Sequence, residues 1–137
     1  MTTVSPSPLG FDITLPEPLD AAIATVTEAL KAEGFGILTR IDVQATLKEK
    51  IGQDFRPYVI LGACNPHLAY RALSADAASG LLLPCNVVVE ATEGGSLVRI
   101  VNPDAMMGVP GMENQAAIQA VAADARAKLE RVAAALG

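Results

Sequence analysis

Phe11, Ile13 and Leu15 alternate with Asp12 and Thr14, the period of a half-buried strand. Beyond Pro18, which suits a first helical turn, Leu19, Ile23, Val26 and Leu30 recur at helical spacing and Gly34 supplies a stop. "FGILTRIDV" reads as a second strand. Asp42 can cap a helix whose Val43, Leu47 and Ile51 share a face, and Gly52 ends it. "DFRP" is a connector, and "YVILGAC" is a third strand, apolar on both faces and so expected to be buried on both. Asn65 then caps and Pro66 opens a short helix to about Leu73, with "SADAASG" as a loop. "CNVVVEA" and "SLVRIVN" flank a hairpin turn placed at Gly94-Gly95. "PDAMMGVPGM" reads as an irregular connector, and a last helix covers residues 114–136.

This order, β-α-β-α-β-α-β-β-α, predicts a single α+β domain with a mixed sheet of about five strands packed by helices. Residues 9–137 form the domain, and the Ser, Thr and Pro-rich residues 1–8 are expected to be loose. A chain of 137 residues that is 51% hydrophobic can bury its own core without disulfides or a structural metal. With aromatics at 4%, that core must rest on Ala, Val, Leu and Ile. The formal charge of −5 and the lack of Lys or Arg runs argue against nucleic acid. No apolar run approaches the roughly 18 residues of a membrane span. No basic start with an apolar segment marks secretion. The expected location is cytoplasmic, which makes Cys64 and Cys85 thiols.

At "IDVQATLKEKIGQDFRPYVILGACNPHLAYRAL", and again at "GLLLPCNVVVE", the chain resembles the domain of unknown function 302 family. The resemblance covers about residues 34–108 and is most specific over 42–50, 56–66 and 82–89. It implies a small α+β domain and a homodimer. The family carries no assigned activity, so the resemblance transfers no catalytic residue. Some relatives are fused to, or lie beside, proteins of sulfur metabolism, which gives context and no mechanism.

The two cysteines each precede an asparagine, Cys64-Asn65 and Cys85-Asn86. Cys64 stands before a capped helix, whose positive end can depress a thiol pKa, and His67 and Arg71 share a face of that helix. The same position also suits a hydrophobic staple between Cys64 and Ala69, and free cysteine is commonly buried. Pro84 biases Leu83 toward extended backbone, so Cys85 starts the next strand. A helix between the two strands favours a parallel crossover, which would set the cysteines at opposite ends; a long loop leaves room for the antiparallel alternative. A lone histidine cannot build a typical zinc site, and no metal or cofactor is expected. Met106, Met107 and Met112 with the thiols are soft enough for Cu(I), although methionine more often fills gaps. "EGG" and "GVPG" lack phosphate-loop spacing, and Lys48 and Lys50 read as a solvated face.

The expected function is a ligand-binding or accessory domain linked to sulfur metabolism. Its site lies where strand ends meet helix starts and is lined by Cys64, Asn65, His67, Arg71, Cys85 and Asn86. The alternative is a thiol-based sulfur carrier or redox enzyme using Cys64, Cys85 or both. The last helix carries Ile118, Val121, Ala122, Ala125, Leu129, Val132, Ala133 and Leu136 on one broad face. At about 34 Å for about 23 residues, it is long enough for its last turns to overhang the core. Exposed Val132 and Leu136 would then contribute to a homodimer interface.

Overall fold

The computed structural model describes residues 4–137. Strands β1 (Val4–Pro6) and β2 (Gly10–Leu15) lead into helix α1 (Leu19–Ala32). Then come β3 (Gly36–Asp42), α2 (Val43–Ile51), β4 (Tyr58–Cys64) and α3 (Pro66–Ala75). A 3-10 helix over Ala77–Leu82 leads into β5 (Cys85–Thr92), β6 (Gly95–Val101), α4 (Pro103–Met107) and α5 (Ala116–Leu136).

Local chemistry sets most of these ends. Past α1, Gly34 takes φ +85°, and the Gly34 and Phe35 N–H groups donate to the Lys31 and Leu30 carbonyls, both at 3.0 Å. This paired closure satisfies carbonyls the helix leaves open. Asp42 Oδ1 accepts from the Ala45 N–H at 2.9 Å to cap α2, and Gly52 at φ +67° ends it. Asn65 Oδ1 accepts from the Leu68 N–H at 3.3 Å to cap α3.

The six strands form one sheet in the order β1-β2-β6-β5-β4-β3, and every neighbouring pair is antiparallel. One face is sealed by helices. Ile13, Val59, Leu61, Val87, Val89, Val98 and Ile100 point into it, against Ile23, Val26 and Leu30 of α1 and Ile118, Leu129 and Val132 of α5. On the other face the alternate residues Ile60, Val88, Leu97 and Val101 are only half-buried. β4 is therefore apolar on both faces but fully buried on one, because α1, α3, α4 and α5 all find their apolar partners on the same side. α2 buries none of its residues, and Ile51 at its end is 64% exposed.

Several elements differ from the sequence reading. Val4–Pro6 pairs with β2 as an edge strand, whereas looseness was expected there; residues 1–3 of that segment lie outside the described residues. The expected loop at "SADAASG" contains the end of α3 and the 3-10 helix, which Asp76 caps through the Ala78 N–H. The connector after β6 opens with α4, capped by Asn102. The hairpin turns at Glu93-Gly94, with Gly94 at φ +89°, because Gly95 already pairs with Thr92. The apolar face of α5 does not overhang the core: Val132 is 0% and Leu136 7% exposed within the chain. Neither is left free for a partner. No helix of the described residues is long and apolar enough to cross a membrane.

Candidate functional site

β4 and β5 are antiparallel neighbours, with Ala63 opposite Cys85. The parallel crossover favoured from the sequence is thus not formed. The chain reverses through α3, the 3-10 helix and the extended Leu83, and the Leu83–Pro84 peptide is cis. The end of one strand and the start of the next are brought side by side, and the cysteines with them.

They line a partly open cavity of about 290 Å³ between this strand edge and helices α3, α4 and α5. Leu68 and Ala72 of α3, Met106 and Met107 of α4, and Val121 and Ala122 of α5 form much of its wall. Phe35 follows the α1 stop into the same wall. A register shift between Ile37 and Thr39 makes a bulge at Leu38, whose side of the strand reaches the cavity while the residue stays 67% exposed at its rim.

The expected lining divides three ways. Cys64, Asn65 and Cys85 reach the cavity. His67 is exposed on the outside of α3, and Arg71 pairs with Asp124 of α5 at 2.6 Å, so neither supplies charge to it. Asn86 lies on the opposite face of the sheet, because successive strand residues point to opposite sides. There it borders a more open depression of about 330 Å³ with Asp12, Tyr58, Val88, Arg99 and Val101. The apolar walls from α4 and α5 were absent from the sequence reading of the site. The signals for them were the Met106-Met107 pair, noted for its soft sulfurs, and the stripe of Val121, Ala122 and Ala125, read as part of a dimer interface.

Asn65 is committed to structure. Its Oδ1 caps α3 and its Nδ2 donates to the Glu33 carbonyl at 3.3 Å, tying the end of α1 to the start of α3. Burial raises the Cys64 thiol above its ordinary range. This opposes the lowering expected from the helix end. Burial, and secondarily the neighbouring Cys64, pushes the Cys85 thiol up to about 11. At neutral pH both are protonated, weakly nucleophilic thiols.

The bare face holds the buried charge. Glu90 is 7% exposed, and Arg56 (51% exposed) donates to it at 2.8 Å. Arg99 also donates to Glu90 and lies 3.6 Å from Asp12. Arg56 packs over the Phe55 ring, 4.5 Å from its centroid. Burial acts to raise the Glu90 carboxyl, but the hydrogen bonds and charges of Arg56 and Arg99 outweigh it and hold the carboxyl below its usual range.

The family model described as "Domain of unknown function DUF302" matches residues 11–136. The chain belongs to the DUF302 family. A crystal structure described as an uncharacterized conserved protein DUF302 from Bacillus stearothermophilus is similar over 93% of this chain and 95% of its own, at 35% identity and a TM-score of 0.79. Comparison with curated proteins finds no match. The DUF302 match spans every element that builds the cavity, from Phe35 to α5.

Proposed function

We propose that this DUF302 domain is a binding module that takes a small apolar molecule, or the apolar part of one, into the cavity between the β4–β5 edge and helices α3, α4 and α5. The observation that carries this reading is a partly open cavity of about 290 Å³ walled mainly by apolar and sulfur-bearing side chains. That volume stands at the small end of typical ligand sites, about 300–1,000 Å³. A charged ligand has no counter-charge there, since His67 is exposed and Arg71 is paired with Asp124. The thiol-carrier alternative is less well supported, because burial raises both thiols and so lowers the thiolate fraction needed for attack. The sulfur-metabolism context of some relatives assigns no step to this site.

Titration with the neutral fluorescent probe N-phenyl-1-naphthylamine tests the reading. Saturable binding is expected, and Ala69→Phe, which grows a half-buried side chain into the cavity, should weaken it at least tenfold with the circular dichroism spectrum unchanged. No saturable binding, or equal binding by the folded variant, defeats it.

We further propose that the homodimer implied by the family resemblance forms through the bare sheet face. Half-buried Ile60 and Val88 lie there in one cross-strand row with Ile41, which is 47% exposed. The stripe of α5 is already occupied within the chain. Sedimentation should give a dimer for the parent and a folded monomer for Val88→Glu. A parent monomer, or a dimer that survives Val88→Glu, removes the proposal.

A further inference from the structure

The chain has two cysteines and four methionines. Both cysteines and two of the methionines, Met106 and Met107, line the one cavity described above. These sulfurs come from three separate places: the end of β4, the start of β5 and helix α4. Cys64 is the last residue of β4 and follows Ala63, the cross-strand partner of Cys85, and both cysteines border the cavity. Met107 is buried and Met106 half-buried. Their unbranched side chains have the rotational freedom to turn sulfur toward the strand edge.

The donors present decide what kind of ion fits. No carboxylate or imidazole lines the cavity, and among the described residues no cluster of three His, Cys, Asp or Glu is formed. Calcium and magnesium require oxygen ligands. Zinc sites take four ligands drawn from thiolate, imidazole and carboxylate, and here only two such groups are available. Thiolate and thioether sulfur together suit soft ions, and with zinc set aside by ligand number Cu(I) fits this set.

We propose that the sulfur-lined part of the cavity is a Cu(I) site in which Cys64 and Cys85 are the thiolate ligands and Met106 or Met107 adds a thioether. It rests on the reading of this cavity as an accessible ligand site, with a metal ion as occupant. As each Cu–S(thiolate) bond forms, the cysteine proton leaves to solvent. No electron is transferred, so copper must be supplied in the monovalent state. The surrounding apolar wall offers no competing carboxylate or imidazole ligand.

The test is an anaerobic titration of the full chain against Cu(I) held by the chromophoric chelator bathocuproine disulfonate. One Cu(I) per chain should be withdrawn. Cys64→Ser and Cys85→Ser should each weaken the affinity at least 100-fold, and Met106→Leu/Met107→Leu about tenfold. Zn(II) should fail to compete at equal concentration. Urea midpoints of the metal-free variants identify any that have lost their fold, and the methionine double variant, which conserves volume, keeps the test open if a serine variant unfolds. Failure to withdraw copper, a folded cysteine variant that binds as tightly as the parent, or unchanged affinity in the methionine variant overturns the proposal. Parallel titration with N-phenyl-1-naphthylamine separates the two readings of the cavity. Probe binding without copper binding overturns the metal site alone. Cysteine- and methionine-dependent copper binding without probe binding supports the metal site and overturns the apolar-ligand reading.

Discussion

On β4, Ile60 and Leu61 are adjacent residues of nearly equal size, yet Leu61 is 1% exposed beneath the helices and Ile60 is half-buried on the bare side. The same division runs across the sheet, separating Val89 from Val88 and Ile100 from Val101. On the sealed side the aliphatic residues fit one another around the cavity that the two cysteines border. On the bare side the chain keeps polar order instead, with Glu90 held between Arg56 and Arg99, and Arg99 reaching Asp12. Stability thus rests mainly on the first face, while the second retains apolar and charged groups that a partner surface can use.

The sharpest way to break this contrast is to truncate the two neighbours. Leu61→Ala should cost about 2–5 kcal/mol, the range for a fully buried aliphatic. Ile60→Ala should cost less than about half of that, since part of its surface is already in water. Urea denaturation gives both numbers. An Ile60 loss as large as that of Leu61, and dependent on protein concentration, would show the bare face covered by a second copy.

The two faces should also fail at opposite ends of the pH scale. Cys85 has a raised pKa in the folded chain, so its contribution is complete below the unfolded thiol value near 8.5 and is lost as pH climbs to about 11. That decline amounts to about 3 kcal/mol, and Cys85→Ala should flatten it. Glu90 has a lowered pKa, so its contribution is complete above the ordinary carboxylate value of 4.5 and is lost as pH falls below it. Glu90→Gln should cost about 1–2 kcal/mol at neutral pH, the lower part of the range for charged hydrogen bonds because both arginines are about half-exposed. It should also shrink the acid-side loss. Thermal melts across pH 3–11 would measure both slopes, and an alkaline decline unchanged in Cys85→Ala would contradict the burial of that thiol.

The smallest effect concerns Asn65, one of the buried polar groups of the chain. Asn65→Ala removes the α3 cap and the bond to the Glu33 carbonyl, and should cost on the order of 1 kcal/mol. An unchanged urea midpoint would mean that water replaces both bonds without loss.

What the sequence by itself determined is what neighbours along the chain decide. Asp42 and Asn65 cap because their side chains need only reach an N–H three residues on. Gly34 and Gly52 stop helices because they alone adopt the left-handed backbone without a Cβ penalty. The family, the α+β class and the apolar stripe of α5 were legible for the same reason, since motif, period and cap are all local, but that the last turns of α5 pack inward was not. Which strands became neighbours was not. The helix between β4 and β5 read as a parallel crossover, and only the further length of the 3-10 helix and the Leu83-Pro84 segment let the chain return antiparallel. That pairing, with α4 and α5 closing above it, placed Cys64, Cys85, Met106 and Met107 around one cavity and left Asn86 on the far face. The tertiary structure alone decided that placement, because strand order and the closure of helices over one side of a sheet depend on contacts between residues far apart in sequence, to which local hydrophobic period is blind.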